Sequence, residues 1–330
     1  MTDDAHILAQ PVIFQPEMEH LEVHEEAEEN GLEGALKAIR ENNYRRFGCA
    51  RRGLHAKSHG ILLGTLSVLK DLPPILAQGL FREDGVYKVI MRFSTLPGMI
   101  LKDEVSMPRG VALKVQGVRG ERLSDSSGDQ QDFLMVNSPT FGAPTVKAFH
   151  EFIRSVAEID DRSRGLDVPD SDILGEAFYS QTPFLYGRYV CKFALAPVSD
   201  ALKRRTNKGL DVSDDPNALR DSVVDFFATQ GGEWELKVQL ATDRQSMPIE
   251  DSTVEWRQDE SPYIAVASLS MPAQNAWDPS NVKAVDEAMS FNPWNGLAAH
   301  RPLGSINRAR KPTYATSVAF RETSSARETL

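Results

Sequence analysis

The 330-residue sequence has few cysteines, no long apolar run and no recognisable leader segment. Its two cysteines, Cys49 and Cys191, are too few for a disulfide framework and favour a reduced, intracellular chain. No apolar run approaches the roughly 20 residues that a membrane-spanning helix needs. The first residues lack the basic region and apolar stretch of a secretory signal. These absences predict a cytoplasmic protein without a membrane span.

Positive charge is also scarce. Acidic residues outnumber basic residues by 47 to 37, which gives a formal net charge of -10. Because nucleic-acid binding usually depends on a clustered basic face, nucleic acid is not an expected partner. The acidic residues concentrate between Glu17 and Glu33, which predicts an exposed arm or helix.

Short apolar segments occur in two groups along the chain. Val111, Leu113 and Val115 alternate with smaller or more polar residues, which is the period-two pattern of a half-buried strand. Short strands separated by turn signals favour an antiparallel barrel over a parallel sheet with crossover helices. The segments expected to form eight strands are Gly60–Leu69, Val86–Ser94, Gly110–Gly117, Phe133–Val136, Tyr189–Leu195, Trp234–Ala241, Ser252–Trp256 and Tyr263–Ser270.

The remaining segments predict helices around these strands. Residues 1–45 are expected to form a polar N-terminal arm, and residues 46–330 a single domain whose barrel strands occupy residues 60–137 and 189–270. The expected fold class is therefore α+β, an eight-stranded antiparallel β-barrel with flanking helices. The predicted helices cover Leu32–Tyr44 and residues 144–158, 170–181 and 307–328.

Three short motifs in the first half of the chain resemble motifs of the catalase family. Arg52-Gly-Leu-His-Ala-Lys57 is similar to the distal haem signature of catalases, Arg-Val-Val-His-Ala-Lys-Gly. Arg92-Phe-Ser-Thr95 is identical to the next motif of that family, and Arg109-Gly-Val-Ala-Leu-Lys114 resembles its Arg-Gly-Phe-Ala-Val-Lys. Their order and spacing agree across residues 50–150. The resemblance implies a catalase-like barrel and haem b (iron protoporphyrin IX) as cofactor.

The resemblance assigns roles to four of these residues. A peroxide must lose a proton from one oxygen and gain it on the other before its O–O bond breaks, and a neutral imidazole above the iron can carry that proton. His55 is therefore the expected catalytic residue, and Ser94 is expected to hold its other ring nitrogen. Arg52 and Arg92 are expected to pair with the haem propionates, because guanidinium groups are permanently charged and bidentate.

The predicted C-terminal helix carries a second motif of the same family. Arg310 and Tyr314 lie one helical turn apart, which is similar to the proximal motif of catalases, in which tyrosinate binds the haem iron. Because tyrosine ordinarily has a pKa of about 10, the arginine is expected to stabilise the phenolate. Arg321 lies on the same helix face and is expected to reach a propionate. Pro312 would kink a continuing helix, so a new helix is expected to begin near Lys311.

The distal amide of catalases has two possible counterparts. Catalases carry Gly-Asn-Asn-Thr-Pro, with the first asparagine over the haem, whereas this chain reads Met135-Val-Asn-Ser-Pro139. Alignment on Ser-Pro without a gap places Val136 in that position as a haem contact. A one-residue bulge would place Asn137 there instead, as a catalytic residue. Without the amide, a second peroxide is less well oriented as reductant, and catalase turnover is expected to suffer.

The sequence leaves three functions open. The first is a haem peroxidase that uses hydrogen peroxide or organic hydroperoxides to oxidise small organic donors, with weak catalase activity. The second is a lyase or isomerase of fatty-acid hydroperoxides, as in the catalase-related allene oxide synthases. The third is a non-catalytic haem-binding protein.

Leu54 bears on the choice among these functions. In the synthases a threonine beside the distal histidine hydrogen-bonds to it and disfavours catalase chemistry. Leu54, the expected haem contact at this position, has no hydroxyl group, which favours the peroxidase. Family analogy also suggests an assembly of identical subunits.

Overall fold

The computed structural model describes residues 10–48, 50–124, 126, 128–157, 159–160, 162–166 and 168–328, and for residues 287 and 325–328 it describes the backbone alone. Cys49 and residues 1–9 of the expected N-terminal arm (residues 1–45) lie outside these ranges. The thiol of Cys191 is buried, and burial raises its pKa. Across the described ranges, no helix combines the length and apolar character needed to cross a membrane.

The described residues contain nine β-strands, all paired in antiparallel fashion, and six α-helices. The strands are β1 (Lys57–Val68), β2 (Val86–Thr95), β3 (Arg109–Gln116), β4 (Gln130–Val136), β5 (Phe178–Tyr179), β6 (Phe184–Tyr186), β7 (Tyr189–Pro197), β8 (Gly232–Leu240) and β9 (Ile264–Met271). The helices are α1 (Glu25–Phe47), α2 (Val146–Val156), α3 (Asp200–Lys203), α4 (Ala218–Thr229), α5 (Pro279–Val282) and α6 (Ser305–Glu328). Short 3-10 helices lie at Pro16–Met18, Gly79–Phe81, Ile173–Gly175 and Ala298–His300, and a π-helical turn at Lys283–Ala288.

Eight of these strands close into a barrel. The sheet order is β5-β4-β3-β2-β1-β9-β8-β7-β6, and a further pairing of β5 with β7 joins the two ends of the ring. Strand β6 pairs with β7 outside the ring. The expected fold, an eight-stranded antiparallel barrel with flanking helices, is therefore confirmed.

The closing strand is one that the sequence did not predict. Residues 170–181 were expected to be helical, but they contain the 3-10 turn Ile173–Gly175 followed by β5, in which Phe178 pairs with Leu195. A Cβ on Gly175 would lie 2.2 Å from the backbone of Arg205, so a close approach between chain segments decides the local structure. The predicted strand Ser252–Trp256 is also wrong, because this segment forms turns beside β8.

The strands separate two apolar regions. Inward-facing side chains such as Met91, Phe93 and Leu113 form a core that fills the barrel interior. The outward faces of β2, β3 and β4 lie beneath α1, α2 and α6, whose apolar side chains form a second cluster that includes Leu36 and Phe149. Any site formed by alternate residues of these strands therefore lies between the barrel wall and the helices.

The C-terminal helix α6 agrees with the predicted helix at residues 307–328 but not with a new start inside it. It starts at Ser305 and contains Pro312 in its interior, so the predicted start near Lys311 is wrong. Acidic side chains satisfy the first backbone N–H groups: Gly304 donates to Glu19 and Ser305 donates to Glu250, at 3.0 Å and 2.7 Å. Because anionic groups stabilise the N-terminus of a helix, these contacts fix the start of α6 before the proline.

Candidate functional site

A cavity of about 410 Å³ lies between the outer wall of the barrel and the three helices α1, α2 and α6. Its lining contains residues from the motifs in the first half of the chain and residues from the motif on the C-terminal helix. The predicted residues that line it are Arg52, Leu54, His55, Arg92, Ser94, Val136, Arg310, Tyr314 and Arg321.

His55 lies just before β1, with its ring against the outer face of the barrel. Its φ of 52° is in the left-handed region, which is uncommon for a residue other than glycine and recurs at functional sites. The ring fits there because Gly110 has no side chain: a Cβ on Gly110 would lie 2.7 Å from an imidazole carbon. Sequence reasoning did not assign a role to Gly110, although it lies inside the third motif.

The surroundings of His55 keep its ring neutral. The Ser94 hydroxyl is 3.3 Å from Nδ1, as expected, which leaves Nε2 for a ligand. Burial lowers the pKa of the imidazole to about 3, and the positive charges of Arg92 and Arg310 act in the same direction. The ring is therefore an unprotonated base at neutral pH.

Tyr314 lies on α6, partly exposed at the cavity, with Arg310 one turn before it. The Arg310 guanidinium donates to the Thr182 hydroxyl and to the Asn307 carboxamide, at 3.3 Å and 3.2 Å, and lies over the ring of Phe141. Burial raises the pKa of the Tyr314 phenol, although Arg310 and Arg52 act to lower it. Without a bound cation the phenol therefore keeps its proton, so Arg310 alone does not produce the expected phenolate.

Three arginines form a cluster at one edge of the cavity: Arg92 and Arg321 are buried, and Arg52 is partly exposed. Arg52 donates to the backbone carbonyls of Val285, Asp286 and Met289 at the π-helical turn and just after it, and Arg321 also donates to Met289. Arg92 forms an ion pair of 2.5 Å with the Asp286 carboxylate. Burial lowers the pKa of Arg52, and the neighbouring charges of Arg92 and Arg321 lower it further. The cluster therefore favours an anionic ligand.

The structure decides between Val136 and Asn137. The β3–β4 ladder pairs Gly110 with Val136 in unbroken register, so the bulge that would turn Asn137 toward the cavity does not form. Val136 lines the cavity. The Asn137 carboxamide oxygen instead accepts a hydrogen bond from the backbone N–H of Arg109 at 2.9 Å. The placement of Asn137 in the site is therefore corrected: side chains alternate across a strand, and Val136 has the outward position.

Apolar side chains complete the cavity. Phe149, Phe152 and Ile153 form one face of α2. Phe291 lines the cavity beside the arginine cluster, where the Arg52 guanidinium lies over its ring. None of these was named as a site residue from the sequence. The i, i+3 and i+4 spacing on α2 predicts an apolar helix face, but the sequence does not indicate what that face covers.

Comparison with known proteins agrees with this architecture. No protein-family profile matches the chain, and no curated protein matches its sequence. Among solved structures, a fungal catalase is similar with a TM-score of 0.63 and 15% identity, covering 85% of this chain and 61% of the catalase.

Two further catalases have the same relationship to the chain. A bacterial catalase and catalase A from Saccharomyces cerevisiae each give a TM-score of 0.61 at 17% identity and cover 85% of this chain. The aligned regions cover 59% and 63% of those two proteins, so the chain spans about three fifths of the length of these catalases. At such low identity the likeness concerns the fold alone: the chain has the catalase-like fold.

Proposed function

We propose that this protein is a haem peroxidase that uses hydrogen peroxide or organic hydroperoxides to oxidise small organic donors. One observation carries the proposal: an unprotonated histidine and a tyrosine with an arginine one helical turn before it line the same cavity, although His55 and Tyr314 are separated by most of the chain. The catalase-like fold supports peroxide chemistry in this cavity.

The residues of the cavity fit haem b. Arg52, Arg92 and Arg321 would hold the two propionates, which would relieve the mutual repulsion of these cations. The phenol oxygen of Tyr314 would bind the iron, whose positive charge favours loss of the phenol proton. The cavity volume falls within the range of about 300–1,000 Å³ that is typical of cofactor sites. Among the described residues no group of three or more His, Cys, Asp or Glu side chains could hold a bare metal ion.

The bound haem would supply an iron that accepts oxygen and releases electrons as the peroxide O–O bond breaks. His55 would take the proton from one peroxide oxygen at Nε2 and return it to the other oxygen, which leaves as water or alcohol. Ser94 would fix the ring orientation through Nδ1. The low pKa of His55 keeps its imidazole free to accept that proton at neutral pH.

Val136 makes the distal wall apolar at the position where catalases have an amide. A second peroxide would find no carboxamide there to orient it as reductant, so the proposal includes only weak dismutation of hydrogen peroxide. Leu54 likewise cannot hydrogen-bond to His55, which favours the peroxidase over a hydroperoxide lyase. The apolar face of α2 is the observation that keeps the lyase of fatty-acid hydroperoxides as the second candidate.

A spectrum and three assays test the proposal. Purified protein supplied with hemin is expected to develop a tyrosinate–haem absorption spectrum, and Tyr314→Phe is expected to abolish or displace it. Peroxide with a phenolic donor should give donor oxidation. Loss of a lipid hydroperoxide without donor would indicate the lyase, and haem uptake without turnover would indicate a binding protein. Protein that remains colourless after incubation with hemin and removal of unbound hemin would contradict the peroxidase, the lyase and the haem-binding protein alike.

A further inference from the structure

Trp294 lies outside the cavity lining but is bonded to the helix that carries Tyr314. Its indole N–H donates a hydrogen bond to the backbone carbonyl of Asn307 at 2.7 Å. The side-chain oxygen of the same Asn307 accepts a hydrogen bond from Arg310 at 3.2 Å, and Arg310 lines the cavity. A partly exposed indole is therefore connected to the cavity wall through two hydrogen bonds and one residue.

The surroundings of Trp294 raise the reduction potential of its indole ring. The Lys311 ammonium lies 4.9 Å from the centre of its ring, and a cation over the ring face makes removal of an electron from the indole harder. Once oxidised, the indole is then a stronger oxidant. Its N–H partner is a carbonyl, which is not a base, so the oxidised ring keeps its proton and its high potential. A group with these properties can oxidise phenols.

We propose that Trp294 is a second oxidation site, at which phenols too large to enter the cavity give up electrons. This inference rests on the proposed haem peroxidase function. The hydroperoxide O–O bond breaks, and the peroxide takes up two electrons and two protons to give one alcohol and one water. Two phenol molecules each lose one electron to Trp294 and one hydroxyl proton to solvent, and become phenoxyl radicals. Trp294 passes both electrons to the haem through α6.

Trp277 provides a matched control. It is also partly exposed, and the Arg220 guanidinium lies 4.0 Å from the centre of its ring. Through Arg220 it contacts α4 rather than α6. A general effect of removing a surface indole beneath a cation would therefore appear in both variants, whereas electron transfer through α6 would be lost in one alone.

Turnover of two donors tests the site. Hemin-loaded Trp294→Phe and Trp277→Phe are compared with the unchanged protein, using guaiacol and the same phenol coupled to dextran. Trp294→Phe is expected to lower dextran–phenol oxidation by about tenfold or more, with guaiacol oxidation changed by less than about twofold. Trp277→Phe is expected to leave both rates nearly unchanged. Equal dextran–phenol oxidation by Trp294→Phe and the unchanged protein would overturn the proposal.

A radical measurement gives a readout independent of donor turnover. Protein containing ring-deuterated tryptophan is mixed with peroxide without donor, frozen and measured by electron paramagnetic resonance. An indole radical is expected in the unchanged protein and in Trp277→Phe, and its absence there contradicts the proposal. In Trp294→Tyr the signal should change to that of a tyrosyl radical. This variant replaces Trp294→Phe in the experiment if Trp294→Phe does not take up hemin.

Failure of this inference is distinguishable from failure of the proposed function. If the unchanged protein takes up no hemin or oxidises no guaiacol, the peroxidase proposal fails. If it oxidises guaiacol but not dextran–phenol, only the role of Trp294 fails.

Discussion

Gly110 and Ser94 position the His55 ring, and burial and two arginines lower its pKa. Gly110 leaves space for its ring, and burial together with the charges of Arg92 and Arg310 holds its pKa at about 3. Because that value lies below the ordinary 6.5, the imidazole stays unprotonated throughout the neutral range and is protonated only in strong acid. Both the position of the ring and its charge state suit the proposed role as proton acceptor from the peroxide.

Replacement of His55 tests this role. His55→Gln is expected to slow the reaction of hemin-loaded protein with peroxide by about 10²- to 10⁴-fold, the usual contribution of general acid–base catalysis. In the unchanged protein the stopped-flow rate should be level from about pH 5 to 8, since the imidazole titrates well below that range. A rate that decreases as the pH is lowered, with an apparent pKa near 6.5, would contradict the inference that His55 stays neutral in this range. Haem content serves as the control for intact binding.

Val136 and Asn137 are neighbours with different expected effects. Val136→Asn places an amide on the cavity wall and is expected to raise oxygen release from hydrogen peroxide relative to donor oxidation. Asn137→Ala removes the acceptor of the Arg109 N–H and is expected to lower the free energy of unfolding by about 1 kcal/mol, with little change in oxygen release. An oxygen electrode and urea unfolding separate the two. A loss of oxygen release in Asn137→Ala, with no gain in Val136→Asn, would indicate that Asn137 and not Val136 acts in the cavity.

The motifs predicted nine of the residues that line the cavity, because each motif contains residues with definite chemistry at fixed spacing. They did not decide between Val136 and Asn137, since an inserted residue in a strand reverses which side chains face outward. Asp286 and Phe291 were missed for a different reason. Their segment contacts the arginine cluster only after the whole chain has folded, and no local pattern indicates that contact.

At the scale of elements, α6 depends on an ionic contact with the N-terminal arm. The Arg308 guanidinium pairs with Glu19, Glu25 and Glu250. Burial raises the pKa of Glu25, but hydrogen bonds from Arg308 and from the Glu22 N–H outweigh it, so the net pKa lies below the ordinary 4.5. A carboxyl with a depressed folded pKa stabilises the protein above its unfolded pKa, and this stabilisation is lost as the pH falls through the folded value.

Arg308→Ala is expected to lower the free energy of unfolding at pH 7 by about 2 kcal/mol, between the values for exposed and buried ion pairs. The difference from the unchanged protein should shrink as the pH falls below the ordinary carboxyl pKa and Glu25 becomes protonated in both. Urea unfolding at pH 7 and pH 3.5 measures it. Arg257→Ala, which breaks an exposed ion pair with Asp259, should have a much smaller effect. Equal losses in the two variants would contradict a special role for Arg308.

Strand prediction succeeded for the long strands and missed the two shortest, β5 and β6. Seven of the eight expected strands correspond to observed strands with shifted ends, because period-two alternation over seven or more residues is distinctive. Strand β5 has two residues, too few to show any period, and it exists because β4 and β7 present free edges on either side of it. Local sequence patterns therefore could not predict the strand that closes the barrel.

At the scale of the whole molecule, the cavity joins the barrel to its helices, so cofactor binding should stabilise both. Hemin at about 100 times its dissociation constant is expected to add about 3 kcal/mol to the free energy of unfolding, and its removal should lower the melting temperature accordingly. Hemin dimethyl ester, which has no free carboxylates, should stabilise less because it cannot pair with Arg52, Arg92 and Arg321. Equal stabilisation by the two would argue against the propionate contacts. Calorimetry measures both.

The distance along the chain between His55 and Tyr314 has a consequence for biosynthesis. Translation delivers the imidazole early and the phenol only when almost all of the described residues have been made, and chains fold from the N-terminal end as they emerge. A nascent barrel can therefore form its wall, with Arg52 and Arg92, before the proposed iron ligand has been made. Capture of the proposed haem then follows the synthesis of α6, and chains truncated before α6 should accumulate without pigment.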